Sequence, residues 1–317
     1  MPITPMKRLS FDEYADTVRE ANLDFLMIDP NQAPWELSWR EVGSILLQFG
    51  AEGSSNIRHG LSRPDGLLFI VQYEQFADRV IFDGQEVEPY EFASLSSSSH
   101  FSAVTFGPHR WMSISLPIGL FGKVAARNGR SDLEWVEREK WLISASPELV
   151  ECLTKEAVNI AALLDGRAAL GLDMPEGAET SFLNSLIDAV ASARKKVSLA
   201  DASAKPSRHI MHKALEYIRC HEWQVLYVND LARAANVTDR TLRRSFNQQL
   251  AVGPTRYLKL RQLNIVRRAL RGKLNKAGSV NSIMRHHGVT EFGRFAVEYK
   301  NLFGESPSET RKRLATR

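Results

Sequence analysis

Between residues 38 and 116, apolar residues come in short runs broken by turn formers, a spacing that predicts strands. Gly66 to Tyr73, GLLFIVQY, is apolar almost throughout and predicts a buried strand. Arg79 to Phe82, then Asp83-Gly84, then the residues from Gln85 predict a hairpin, because Asp-Gly suits the type I′ turn. His100 to Phe106 and Arg110 to Leu116 predict a second strand pair, joined at Gly107-Pro108. From 132 to 197 the pattern becomes helical, with stretches at Trp135 to Ile143, Glu148 to Leu164 and Ser181 to Ala193. In the last of these Phe182, Leu183, Leu186, Ile187 and Val190 fall on one helix face. That face suits either the core or a dimer seam, and Phe182, Leu186, Ile187 and Val190 are the candidate dimerisation residues. Residues 198–206 are small and polar and read as a linker, and the pattern from Arg208 onward is helical.

The C-terminal region repeats itself. Ala232, Phe246, Leu250 and Pro254 recur as Met284, Tyr299, Phe303 and Pro307, at an offset of 52 for the first and 53 for the others. One residue is therefore inserted within the second copy. Each copy reads as a short helix, a turn and a longer helix. In the first, Leu231, Ala232 and Ala235 face inward, and Asn236 stands where the turn needs a left-handed residue. Thr238 is expected to cap the second helix, whose buried stripe is Leu242, Phe246 and Leu250. In the second copy Gly288 supplies the turn, Thr290 the cap, and Phe295, Tyr299 and Phe303 the stripe. Pro254 to Arg271 predicts a long helix between the copies, with Pro254 in its first turn and an apolar seam of Tyr257, Leu260, Leu263, Val266 and Leu270.

Charge sharpens this picture. Ser207 to Arg317 holds 22 Lys+Arg against 8 Asp+Glu, a net of +14, while residues 1–206 hold 19 against 29, a net of −10. A basic region on an acidic body points to a polyanion partner. Most of the excess is arginine, which suits bidentate contact with phosphate and guanine. At the start of the second helix of the first copy, Asp239, Arg240, Arg243 and Arg244 lie opposite the buried stripe. The early turns of a recognition helix are the part that reaches base edges. In the second copy the corresponding face is Glu291, Phe292, Gly293, Arg294 and Val297, with less charge, so it is expected to contribute less sequence readout.

The segments VNDLARAANVTDRTLRRSFNQQL, GPTRYLKLRQLNIVRRAL and FGESPSETRKR resemble the AraC/XylS regulators over about residues 207–317. The resemblance implies two helix-turn-helix units joined by a central helix, binding double-stranded DNA, as an activator in most members. The expected DNA-binding residues are Arg240, Arg243, Arg244 and Arg294, with the helix caps Thr238 and Thr290. The long helix would hold the recognition helices a fixed distance apart, near one DNA turn of roughly 34 Å. By the same resemblance the fold class is α+β. Residues 1–197 would be a sensor domain, a cupin-like β-barrel to about 125 and then a helical dimerisation segment. The partners implied are DNA, a small-molecule effector, a second copy of the chain, and RNA polymerase if the protein is an activator.

Other chemistries are weaker. His100 and His109 are nine residues apart with no His-x-His pair, so no metal or other cofactor is expected. The run Ser96 to Ser99 beside His100 has no G-x-S-x-G elbow and reads as a polar loop, so an enzyme is not expected. The alternative from a different class is a cupin-type enzyme fused to a DNA-binding tail. Trp35, Trp39 and Trp111 read as core more than as a ligand pocket. Cys152 and Cys220 read as buried, inert thiols. No apolar stretch approaches the ~20 residues of a membrane span, and a cytoplasmic protein is expected. Arg58 and Arg63, in the turn-rich stretch SNIRHGLSRPDG, suit an anionic ligand, with Arg79 and Arg110 converging on the same face. The pair resembles the arginines of PilZ domains, which bind cyclic di-GMP. The competing expectation for the effector is a small apolar or amine metabolite.

Overall fold

A computed structural model describes residues 6–74, 79–199, 206–221, 224–272 and 278–315. The strands are β1 (Lys7–Leu9), β2 (Ala21–Met27), β3 (Trp35–Val42), β4 (Ile45–Glu52), β5 (Asn56–Ser62), β6 (Gly66–Glu74), β7 (Arg79–Phe82), β8 (Gln85–Glu86), β9 (Glu91–Leu95), β10 (His100–Phe106), β11 (His109–Pro117), β12 (Trp141–Ser144) and β13 (Lys195–Ser198). The helices are α1 (Phe11–Thr17), α2 (Leu120–Arg127), α3 (Trp135–Arg138), α4 (Pro147–Ala169), α5 (Ala178–Ala191), α6 (Pro206–Cys220), α7 (Val228–Ala234), α8 (Asp239–Leu250), α9 (Pro254–Arg271), α10 (Val280–His286), α11 (Phe292–Phe303) and α12 (Pro307–Ala315). Contacts divide the chain into two units, one of Met1–Asp24, Ala33–Gly53 and Arg58–Asp201, the other of Phe25–Gln32, Ser54–Ile57 and Ala202–Arg317. The linker expected at 198–206 falls mostly on 200–205, outside the described residues.

The first unit is mixed α and β. Its strands form an eight-stranded sheet, in the order β1-β3-β4-β11-β6-β9-β12-β13, and most of a five-stranded sheet, β2-β5-β10-β7-β8, in which β2 and β5 belong to it only in part. Neither order closes on itself, so two open sheets stand where a closed cupin-like barrel was expected. The run in β6 explains the layering. Leu67, Phe69 and Val71 face a core shared with Phe121 of α2, Leu153 of α4 and Phe182 of α5. Leu68 points the other way, into a second core with Leu95 and Leu142 of the same sheet and Phe82 and Phe101 of the smaller one. Period-two alternation is present but masked, because both faces of the strand are covered. At the hairpin, Asp83 and Gly84 both take positive φ, 45° and 72°, as the type I′ turn requires.

Three expectations change here. Phe182, Leu186, Ile187 and Val190 are at most 1% exposed and belong to the core between α5 and the large sheet, so they form no dimer seam. Leaving each of them uncovered would forfeit about 1.5–3 kcal/mol. The helix expected at Trp135 to Ile143 stops at Arg138, and Trp141–Ser144 instead pairs with β9 and β13. Three successive apolar residues suit a strand covered on both faces as well as a helical turn, and Leu142 and Ile143 enter opposite cores. Cys152 and Cys220 are both exposed rather than buried. No helix among the described residues is long and apolar enough to cross a membrane.

In the second unit the helices from α6 onward form two groups around α9. α6 and α8 pack together with α7, α12 packs on α10 and α11, and α9 touches members of both groups. The predicted seam of α9 is buried throughout: Tyr257, Leu260, Leu263, Val266 and Leu270 are each at most 2% exposed.

Candidate nucleic-acid interface

The first helix-turn-helix unit, α7 and α8, is built as its pattern requires. Leu231, Ala232 and Ala235 are buried, and Asn236 turns the chain with φ 54°. Thr238 then caps α8, its hydroxyl accepting from the Thr241 amide at 3.2 Å. Leu242, Phe246 and Leu250 are fully buried, which fixes the rotation of α8 and leaves Arg240, Arg243 and Arg244 exposed. Arg243 donates to Asp239 at 3.0 Å and to the Thr255 hydroxyl at 3.4 Å. Arg240 and Arg244 make no ion pair among the described residues. The patch Asp239, Arg240, Arg243, Arg244 thus keeps a net charge of +2, with two guanidinium groups uncommitted.

The second unit, α10 and α11, differs at its turn. Gly288 supplies the left-handed residue, φ 74°, and a Cβ there would also fall 2.3 Å from a Val225 methyl. The residue capping α11 is Glu291, not Thr290, and it makes no side-chain cap hydrogen bond. The cause is the inserted residue. It lies in this turn, so the helix that follows is offset by 53 from α8 and Thr290 falls one place short of the cap. In that register Arg240, Arg243 and Arg244 correspond to Gly293, Ala296 and Val297, and Arg294 corresponds to Thr241. Arg294 is exposed but held, 3.2 Å from Glu298 and 3.8 Å from Glu291. Glu298 also pairs with Lys259 of α9 at 2.6 Å. Burial works to raise the Glu298 carboxyl, but Lys259 and Arg294 outweigh it and hold it below the usual carboxylate range. Phe295 and Tyr299 are buried as expected, while Phe303 is only half-buried and Leu302 takes up core contact.

A buried polar network anchors this second unit. Arg267 of α9, 8% exposed, donates to Glu305 at 2.9 Å, and its guanidinium lies 4.6 Å from the centre of the Phe303 ring. Glu305 also pairs with Arg313 at 2.8 Å and accepts from the Thr310 hydroxyl at 2.9 Å. The Thr310 and Tyr299 hydroxyls are 2.9 Å apart, and burial pushes the Tyr299 phenol up. A second buried arginine, Arg261, donates to the backbone carbonyls of His221 and Gln224 at 2.9 and 3.2 Å. It stabilises the chain just after α6. Sequence reading missed both arginines because they interrupt no apolar seam position. Ser306 and Glu309 form a reciprocal cap at α12, a signal that S-x-x-E spacing could have supplied.

Residues 231–313 match a family described as a helix-turn-helix domain. Over 100 residues the chain is 36% identical to a probable thc operon regulatory protein of Rhodococcus erythropolis, covering 32% of this chain and 30% of that one. Over 98 residues it is 28% identical to XylDLEGF operon transcriptional activator 2 of Pseudomonas putida, covering 31% of this chain and 62% of that one. Over this C-terminal region the chain is similar to the AraC/XylS regulators. It spans less than two thirds of the length of either relative. Among solved structures, the AraC-like transcriptional activator CuxR is 15% identical over 78% of this chain and 86% of its own, with a TM-score of 0.37. ToxT from Vibrio cholerae is 9% identical over 93% and 98%, with a TM-score of 0.30.

The four arginines expected to grip an anion have different surroundings. Arg58 lies on β5, not in a loop, and is buried. It donates to Glu52 at 2.5 Å and to the Thr105 hydroxyl at 2.7 Å. Its charge, after burial itself, helps lower His109 to about 3, so that imidazole is neutral. Trp111 also donates to Glu52, at 2.8 Å, which places Trp111 in a buried polar cluster. Arg63 is exposed beyond the end of β5 and bonds Asp65 and Glu20, which push its guanidinium up. Arg79 pairs with Glu86 at 2.9 Å, and Arg110 is half-buried on β11. Arg58, Arg63 and Arg79 are each engaged by a different carboxylate. Trp35 is core, and Trp39 carries the Arg19 guanidinium 4.2 Å above its ring. No cluster of three or more His, Cys, Asp or Glu placed to hold a metal occurs among the described residues.

Proposed function

We propose that this chain is a sequence-specific DNA-binding transcriptional regulator, read out chiefly by α8. The observation that carries the reading is the patch of Arg240, Arg243 and Arg244, exposed on the first turns of a helix whose rotation the Thr238 cap and three buried residues fix. Guanidinium groups at that place reach guanine edges and phosphates. The net of +14 beyond residue 206 supplies the attraction that does not depend on sequence. The relatives' names support transcriptional control, and the Pseudomonas putida protein is named an activator. An activator working as a homodimer that contacts RNA polymerase is the reading we adopt. Fluorescence anisotropy of the full chain against labelled duplex tests DNA binding. We expect affinity to fall steeply with salt, and a flat dependence would overturn the reading.

For the first unit we propose effector sensing. Its cleft of about 280 Å³ is lined by Arg19, Glu20, Glu41, Arg63, Asp65 and Ser115, among others. Ligand pockets usually run from about 300 Å³ upward, so this one suits a small polar metabolite better than a dinucleotide. Both charge signs in the lining favour a molecule that carries charge. Of the four arginines considered above, only Arg63 lines the cleft. Thermal unfolding of the full chain with a panel of charged metabolites tests this, because a ligand of the native state must raise the midpoint. A panel that leaves the midpoint unmoved, with stabilisation by apolar compounds instead, would reverse the assignment.

A further inference from the structure

We infer that Glu298 is a charge clamp that keeps the second recognition helix electrically silent toward DNA, and that removing its charge would switch on phosphate contacts there. The inference rests on the DNA-binding reading above and adds a residue that sets how the two units share the work. Its basis is the difference in local charge between two helices of one repeat. On α8, one carboxylate, Asp239, stands against three arginines in the charge count and pairs with Arg243 alone. On α11 the three equivalent positions are Gly293, Ala296 and Val297, none of them charged. The one cation in the early turns, Arg294, stands between Glu291 and Glu298. Glu298 reaches back to α9 as well and engages Lys259, whose ammonium also sits 5.2 Å from the centre of the Phe295 ring. Glu291, Arg294, Glu298 and Lys259 therefore sum to zero, against +2 on α8.

The strength of each pair does not decide the matter. Ion pairs with exposed partners are individually weak, and Arg294 could swing toward a phosphate at little cost. The carboxylate stays behind in that case. Phosphates approaching α11 meet a fixed negative charge that cancels what either cation offers. Glu298 holds that place because its side chain is two-thirds buried between α9 and α11. It touches no DNA in this account and acts through Arg294 and Lys259, so it is a positioning residue. Val297, 61% exposed, is left as the uncharged contact surface of α11 and suits a thymine methyl rather than guanine.

The test needs no knowledge of the operator, because phosphate contacts are independent of sequence. Full-length wild type, Glu298→Gln, Arg294→Met and the double variant are titrated by anisotropy against one arbitrary 30-base-pair duplex over a salt series. Each newly neutralised phosphate steepens the slope of log affinity against log salt by about 0.9. Glu298→Gln should therefore steepen it by about 0.9 to 1.8 and bind several-fold tighter at low salt. Arg294→Met alone should change affinity by less than about twofold, and in the Glu298→Gln background it should remove at least half of the gain. Equal slopes for wild type and a folded Glu298→Gln protein would overturn the clamp while leaving DNA binding intact. Should Glu298→Gln not fold, Arg294→Met alone decides, and a loss of fivefold or more would show that α11 already uses its arginine. A wild type that fails to bind duplex at all removes the DNA-binding reading, and the clamp falls with it.

Discussion

The two helix-turn-helix units are built on one pattern and differ in the faces they expose. Both bury the first two positions of the stripe, 242 and 246 in one and 295 and 299 in the other, and at the third Leu250 is buried while Phe303 is half-buried beside a buried Leu302. Both close with a left-handed residue at the end of the longer helix, Ala251 at φ 51° and Gly304 at φ 74°. They part company at the surface and at the turn. α8 has a capped start and uncommitted arginines. α11 has an uncapped start, one longer turn and a cation bracketed by carboxylates. The lesson is that the two copies share the residues their cores need, while their exposed faces differ in charge. The basic charge of the whole region is therefore no guide to which helix reads sequence.

That contrast can be broken at several points. The largest effect is expected at Arg267, which ties α9 to the second unit. Arg267→Met leaves Glu305 buried with only the more exposed Arg313 as ionic partner. It should cost about 3 kcal/mol in denaturant unfolding. A change within 0.5 kcal/mol would mean that the network is not what holds the unit. Next come Arg243→Ala and Arg244→Ala, each expected to weaken operator binding by about 1–3 kcal/mol with little change in stability. Unaltered titrations for both variants would take readout away from α8.

Helix ends give smaller and more local tests. Thr238→Ala should lower stability by about 1 kcal/mol through loss of the cap, while Thr290→Ala should stay within about 0.5 kcal/mol. Equal losses at the two sites would contradict the different turns. Ala251→Gly relieves a left-handed alanine and should raise stability by up to about 1 kcal/mol, with Gly304→Ala moving the other way by a similar amount. Thermal midpoints of the two variants check the sign. The smallest change is expected for Arg294→Ala, within about 0.5 kcal/mol in DNA binding, since its charge is already matched by Glu291 and Glu298.

How much of this could be read from residues alone depended on distance along the chain. The caps, stripes and turn residues of the first unit were legible because each is a relation between residues two to eight apart. The inserted residue was visible too, as the change of offset from 52 to 53, but its position was not, and that error misplaced the cap at Thr290. The network of Arg267 and Glu305 joins residues 38 apart, and nothing local marks it. In the first unit most strands between 38 and 116 announced themselves through turn residues. β12 did not, because WLIS is too short and too nearly apolar throughout to show alternation, and it borrows helical flanks. The same ambiguity made α5 look available as a seam. Only the sheet, assembled from distant strands, shows that its apolar face is already occupied. Clustered arginines in sequence likewise promised an anion site, whereas Arg58, Arg63 and Arg79 each found a carboxylate elsewhere in the fold.

The central claim is that α8 reads sequence and α11 largely does not. In vitro selection from a random duplex library with the full-length protein tests it most directly, because the enriched sites report readout by each helix separately. The account predicts one strongly constrained block containing guanines, lost on Arg243→Ala or Arg244→Ala, with a weakly constrained block about one helical turn, roughly 34 Å, to one side. Two equally constrained blocks, with the second abolished by Arg294→Ala, would contradict it.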